Sequence, residues 1–243
     1  MYLKSFLPYF LLFWVMISST AFLHLPQQQL AGAWHSATNG VDKILIFQDG
    51  YFTQTVYDKT GKKFLRTYGG PYTSNKGTLS FTKEFDTQNK DEVGGSIEIP
   101  FVLYNKTLSL DANGKLVNFK QLDAGAGGLS GAWKITGRKQ EGAIMQIHQT
   151  GPRKTLKILS DSRFQWAAIN PATKEFFGTG GGSYTFVDGK YTEHIEFFSR
   201  DSSRVGASLI FNGQLINGNW HHSGKSSKGD DIYEIWSRIN TEN

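Results

Sequence analysis

The sequence predicts an all-β protein made of two tandem antiparallel up-and-down β-barrels, the first of them smaller or incomplete. Glycine is frequent (27 of 243 residues), 14% of residues are aromatic, and short apolar runs are separated by Asp-Gly, Asn-Gly and Gly-Gly pairs, a pattern typical of strands and turns. No long segment after the first thirty residues has helical periodicity. The sequence also contains an internal repeat, because the pattern of residues 30–34 recurs at residues 129–133 and that of residues 64–73 recurs at residues 176–185.

The N-terminus has the features of a secretory signal peptide, predicted here as residues 1–21. Lys4 precedes an apolar run over residues 6–17, and Ser19-Thr20-Ala21 supplies the small residues of a cleavage site. We therefore expect an exported protein, periplasmic or extracellular, whose mature chain begins with a short segment over residues 22–29. An uncleaved anchor is the less favoured alternative, because the apolar run is short for a membrane span.

Composition limits the partners and the chemistry that we expect. The chain has no cysteine, which excludes a disulfide framework and thiolate sites. Its formal charge of +5 arises from Lys and Arg scattered among Asp and Glu, so we predict neither nucleic-acid binding nor an integral membrane span after signal removal. We predict no cofactor and no metal.

The two repeats are assigned to residues 30–122 and 129–240, joined by a small-residue linker over residues 123–128. Short connections at residues 187–190 and 211–214 predict antiparallel hairpins, and a meander of this length closes into a barrel because closure removes exposed sheet edges. The strand-like segments of the second repeat, besides the one after Trp133, are 143–148, 155–159, 164–169, 183–187, 191–198, 207–211, 214–220 and 232–239.

A Gly-x-Trp at Gly131 to Trp133, the meander, and a last strand ending Trp236-Ser237-Arg238 resemble the lipocalin and fatty-acid-binding-protein (calycin) superfamily. The resemblance extends to uncharacterised exported lipocalin-like proteins of bacteria, and it implies a fold and no activity. It also implies that Arg238 covers Trp133, a structural role that Trp34 shares in the first repeat. There the position matching Arg238 is Gln121.

The first repeat is also shorter, by residues that fall around the segment 143–148 of the second. We therefore expect the first repeat to lack one strand and to be an incomplete or flattened barrel that packs against the second.

Aligning the repeats predicts which side chains face inward. At a shift of 112 residues, Leu79, Phe81 and Phe85 mark a buried face, and their counterparts are Tyr191, Glu193 and Phe197. Glu193 is then predicted to point into the second barrel, and its neighbour His194 to point outward.

The same comparison marks further replacements in the second repeat. Leu108 and Leu110 correspond to Trp220 and His222, while Val117 and Phe119 correspond to Glu234 and Trp236 at a shift of 117. Gln54 becomes Trp166. A register slip of one residue would turn all of these side chains to solvent. The predicted ligand-binding residues are therefore Trp166, Glu193, Trp220, His222, Glu234 and Trp236.

Three interpretations of these residues compete. The favoured one is a binding site for a small, partly apolar molecule, in which tryptophans cover the body and polar groups orient it. The second is a cyclase, isomerase or hydrolase with Glu193 and Glu234 as acid and base, assisted by His222. The third is a metal site of one His and two carboxylates. An envelope scaffold, using the outer surface alone, is a further alternative function.

Two motifs have simpler explanations. The run from Gly178 to Gly182 looks like a phosphate loop, but it leads into a strand instead of a helix, so we expect a bend or close strand packing. His221 and His222 are neighbours on a strand and should point to opposite faces.

Overall fold

The computed structural model describes residues 30–239 except 113, 141, 148–150 and 227. The predicted signal peptide (1–21) and N-terminal segment (22–29) lie outside the described residues. Apart from short 3₁₀ turns, every element of the described part is a β-strand. None of its helical turns is long and apolar enough to cross a membrane.

The first repeat folds into a closed antiparallel barrel. Eight strands form the ring in the order β1-β2-β3-β4-β5-β7-β8-β9, closed by the pairing of β1 with β9, and the short β6 pairs only with β4. The strands are β1 (Gly32–Thr38), β2 (Val41–Gln48), β3 (Tyr51–Asp58), β4 (Lys63–Asn75), β5 (Thr78–Thr82), β6 (Phe85–Asp86), β7 (Ser96–Tyr104), β8 (Thr107–Ala112) and β9 (Lys115–Asp123).

The second repeat forms an equivalent ring. Its eight strands are ordered β10-β12-β13-β14-β15-β16-β17-β18, and the pairing of β10 with β18 closes the barrel. The strands are β10 (Gly131–Gln140), β11 (Ala143–Gln146), β12 (Lys154–Leu159), β13 (Arg163–Asn170), β14 (Glu175–Val187), β15 (Lys190–Phe198), β16 (Ser208–Ile216), β17 (Asn219–Lys225) and β18 (Asp231–Arg238).

The prediction of two tandem up-and-down barrels is confirmed, but the expectation that the first is incomplete is wrong. The extra residues of the second repeat form β11, which pairs with β10 alone and adds nothing to the ring. The predicted end of that segment, His148, lies outside the described residues. The first barrel is thus shorter in sequence and complete in topology.

Tight turns explain most of the antiparallel pairing. At the predicted 187–190 hairpin, Asp188 and Gly189 both have positive φ (49° and 72°), as the two central residues of a type I′ turn require. The predicted 211–214 hairpin is wrong, because Asn212 and Gly213 lie inside the continuous strand β16. Gly213 instead lies against the Trp220 ring, and a Cβ there would be 3.2 Å from Trp220 Nε1.

The floors of the two barrels are built alike. Trp34 donates its indole N–H to the carbonyl of Leu30 at 2.9 Å, and Trp133 donates to that of Leu129 at 3.0 Å. The Arg238 guanidinium carbon lies 4.0 Å from the centroid of the Trp133 ring, the contact that the resemblance implies. In the first barrel, Gln121 is the residue that pairs opposite Trp34.

The barrels pack against each other through a shared apolar cluster with pseudo-twofold symmetry. Phe85 of the first barrel stacks on Phe176 of the second with centroids 6.2 Å apart, and the equivalent pair with the barrels exchanged, Phe64 and Phe197, lies at 6.4 Å. Phe85 was predicted to face the first barrel's interior, and this is wrong. The chain leaves β5 after Thr82, and Phe85 begins the separate strand β6, which faces the neighbouring barrel.

Two carboxylates, one half-buried and one buried, repeat the same symmetry at the polar part of this interface. Glu84 accepts hydrogen bonds from Tyr51 (2.8 Å) and from Lys154 of the second barrel (2.7 Å). Its counterpart Glu196 accepts from Arg163 (2.7 Å) and from Tyr57 of the first barrel (2.7 Å). The face therefore has the reciprocal contacts of an isologous dimer interface.

Candidate functional site

The pairing register agrees with the alignment that predicted the site. His222 lies opposite Glu234 on β17 and β18, as Leu110 lies opposite Val117 in the first barrel. Trp220 likewise lies opposite Trp236. No one-residue slip has occurred, so the replacements point to the second barrel's interior.

The predicted residues lie at two depths. Trp220, His222, Trp236 and Glu193 are buried, with Glu193 only 5% exposed, whereas its neighbour His194 is exposed. Trp166 and Glu234 are half-buried. The buried side chains thus lie deeper in the interior than the half-buried ones.

A buried lysine that was not among the predicted residues lies at the centre of the site. Lys157 Nζ donates to Glu193 Oε1 at 3.0 Å, and both side chains are only 6% exposed. Three rings surround the same ammonium group, with centroids 5.4, 5.1 and 5.1 Å from Nζ, which is cation–π distance. These rings belong to Tyr191, Trp220 and Trp236.

The repeat comparison itself contains the signal for Lys157. At the shift of 112 residues its counterpart is Leu45, a buried core residue of the first barrel. The exchange of Leu45 for lysine accompanies the exchange of Phe81 for Glu193, so the two buried charges enter the second barrel as a pair.

A second acidic group is shared by His222 and Trp236. Trp236 Nε1 donates to Glu234 Oε2 at 3.1 Å, and His222 Nδ1 approaches the same oxygen at 3.4 Å. Burial alone would raise the pKa of Glu234, but His222 and Lys157 outweigh burial and lower it. Burial and Lys157 lower the pKa of His222. The resting site therefore contains a Glu234 carboxylate and a neutral imidazole.

Several polar atoms in this interior have no partner. In the described part of the chain, Tyr191 Oη, Trp220 Nε1 and both ring nitrogens of His222 are buried without a hydrogen bond, and His222 Nδ1 lies 3.4 Å from Glu234 Oε2. The counterparts in the first barrel are Leu79, Leu108 and Leu110, which need none.

The glycine run on β14 serves packing, as expected. A Cβ on Gly180 would lie 2.7 Å from Trp166 Nε1 and 2.8 Å from the Phe198 ring. Trp166 therefore occupies space that only glycine leaves open.

The alternative of a metal site has no geometric support. Among the described residues, no group of three or more His, Cys, Asp or Glu side chains is placed to hold a metal ion. Glu193 is held instead by Lys157.

Fold and site together define a tandem pair of closed eight-stranded antiparallel barrels, an architecture that fits a calycin-like fold. The second barrel is similar to a domain of unknown function (DUF4488), whose family model matches residues 128–243. A comparison with curated proteins finds no match to this chain.

Proposed function

We propose that this protein binds a small, partly apolar molecule in the interior of its second barrel. The observation that carries the proposal is the set of buried polar atoms without partners on Tyr191, Trp220 and His222. A buried polar group without a hydrogen bond costs about 1–3 kcal/mol. Hydrogen bonds to a bound ligand would remove that cost.

The chemistry of the interior favours a neutral ligand that bears hydrogen-bond acceptors. The indole N–H of Trp220 and the Tyr191 hydroxyl are donors, and Lys157 has spent only one donor on Glu193. The charges of Lys157, Glu193 and Glu234 sum to one excess negative charge, which disfavours an anion. A ligand cation would meet the ammonium of Lys157 already lying among the rings.

Binding fits this site better than acid–base catalysis by Glu193 and Glu234. A general acid must hold a proton near neutral pH, whereas the lowered pKa of Glu234 keeps it ionised. Glu193 is tied to Lys157. Glu193 is the counter-charge that positions Lys157, and Glu234 accepts the indole N–H of Trp236.

We also propose that the protein is exported and works outside the cytoplasm. Lys4, the apolar run over residues 6–17 and the small residues ending at Ala21 support this proposal. N-terminal sequencing of protein isolated from its own cells tests it: a mature chain beginning at residue 22 is expected, and a chain retaining residues 1–21 in the cytoplasm would contradict it.

The binding proposal is tested by native mass spectrometry of the full mature protein purified from its own cells, followed by tryptophan fluorescence with the co-purified compound. We expect a bound organic molecule whose affinity falls about tenfold in His222→Leu, which restores the first barrel's residue. The matched control is His194→Thr, the same kind of exchange at an exposed position, and it should bind normally. Equal binding by both variants, or a protein that carries no compound and binds none from its cell extract, would refute the proposal.

A further inference from the structure

The first barrel contains an open cavity of about 660 Å³. That volume lies within the range of small-molecule sites. Its apolar walls come from four strands, β5, β7, β8 and β9, and consist of Phe81, Ile97, Ile99, Leu110, Val117 and Phe119.

One wall of this cavity holds a cluster of charges around an aromatic ring. Arg66 and Lys83 place their cationic groups 5.1 and 5.0 Å from the centroid of Tyr68. Both bind the fully buried carboxylate of Asp86: Arg66 through Nε (3.2 Å) and Nη2 (2.7 Å), and Lys83 through Nζ (2.7 Å). Lys83 also pairs with Glu92. These contacts hold both cations at the cavity wall.

The cluster belongs to the first repeat alone. At the shift of 112 residues, Arg66 and Lys83 correspond to Gly178 and Ile195, and Asp86 corresponds to Phe198. The second barrel closes with the same strand order without these charges. The fold therefore does not require them.

The inward-facing charges leave one cation uncompensated. Arg66 and Lys83 are balanced by Asp86 and Glu92, whereas Lys43, on β2 in line with the inward Leu45, lines the cavity without a carboxylate partner among the described residues. Arg66 keeps Nη1 free of Asp86.

Two further carboxylates lie at the rim, on positions that alternate with inward residues. Glu98 accepts from Ser80 (3.4 Å), and Asp111 accepts from the backbone N–H of Gly114 (2.7 Å). Because they sit on outward positions next to solvent, their effect on a ligand inside is screened.

We infer that the first barrel is a second ligand site, for an amphipathic monoanion whose apolar body lies on the phenylalanine and aliphatic walls and whose charged group meets Lys43 and Nη1 of Arg66. It differs in chemistry from the neutral, acceptor-bearing ligand proposed for the second barrel, and it does not depend on that proposal.

The test compares two fluorescent probes on the full mature chain: anilinonaphthalene sulfonate, and phenylnaphthylamine, the same body without the sulfonate. We expect Lys43→Gln to weaken the sulfonate probe about tenfold and to leave the neutral probe within about a factor of two. Lys106→Gln removes an equal charge from the exposed turn between β7 and β8 of the same barrel and should affect neither probe.

A second variant locates the probe. Val117→Trp fills the cavity and should abolish sulfonate binding, whereas Lys157→Leu with Glu193→Phe in the second barrel should leave it unchanged; thermal melting verifies that each variant is folded. The inference is overturned if Lys43→Gln binds the sulfonate probe as well as the natural sequence does, or if a folded Val117→Trp still binds it. The results of these probe experiments do not depend on whether the second barrel binds a ligand of its own.

Discussion

The two barrels have the same order of strands and the same pairing between strands, but their interiors are packed differently. In the first, Leu45 and Phe81 pack in an apolar base beneath an open cavity; in the second, the same positions hold the Lys157–Glu193 ion pair among aromatic rings. This barrel of strands therefore accepts buried charges at its centre when a basic and an acidic residue replace two apolar residues together.

A second pair of facing positions also differs between the barrels, and there the sizes of the two side chains are reversed. Gln54 accepts a hydrogen bond from Tyr68 at 2.9 Å in the first barrel, whereas Trp166 covers Gly180 at the same two positions of the second. The large side chain of the pair thus lies on β4 in the first barrel and on β13, the neighbour of the corresponding strand β14, in the second. Pairs of facing positions, and not single residues, are therefore the units that distinguish the two interiors.

The largest expected effect comes from breaking the buried ion pair. Glu193→Phe installs the first barrel's residue but leaves the Lys157 ammonium buried without its carboxylate, which should lower the free energy of unfolding by about 3–5 kcal/mol. Adding Lys157→Leu should restore most of that loss. Urea unfolding of the single and double variants measures both, and a single variant as stable as the double would show that the charges are not coupled.

A smaller effect is expected from undoing the exchange of space. Gly180→Tyr places a ring where Trp166 already lies, so overpacking should destabilise the chain by about 1–3 kcal/mol. Trp166→Gln in the same chain recreates the first barrel's pair and should recover stability. If Gly180→Tyr alone is neutral by chemical unfolding, Trp166 can move aside and the two positions are independent.

The smallest expected effect is the acid dependence of the barrel interface. Burial would raise the pKa of Glu196, but Arg163 with Tyr57 and Lys59 outweighs it, so this pKa is lowered from its ordinary value of 4.5. A carboxylate whose pKa is lower in the folded than in the unfolded chain stabilises the fold at any pH above the unfolded pKa. That stability is lost as the pH falls through the folded pKa, and a difference of one pH unit between the two pKa values corresponds to about 1.4 kcal/mol.

Glu196→Gln should therefore flatten the decline of the thermal midpoint below pH 4.5. Exchanging the solvent-exposed Glu175 for Gln provides the control and should leave the decline as it is. Parallel declines in the two variants would mean that Glu196 contributes nothing to the interface at neutral pH.

Much of the site follows from the repeat, since alternation along a strand assigns Glu193 to the inside and His194 to the outside, and both assignments agree with the structure. The same comparison, of Lys157 with Leu45, could also have predicted the buried lysine. It could not have predicted the residues around that lysine, because the three rings next to its ammonium group come from strands distant in sequence. Phe85 was misassigned because alternation ends where the chain leaves β5.

By itself the sequence determined most of the strands, the turn at residues 187–190 and the facing of most side chains, because these depend on local residue order and on the two-residue period of a strand. The tertiary structure alone decided that the first barrel closes, that Phe85 faces the neighbouring barrel, and that the first barrel holds an open cavity. Closure and cavity volume depend on how distant strands pair and how facing side chains share space, and neither quantity is written in any one segment of the chain.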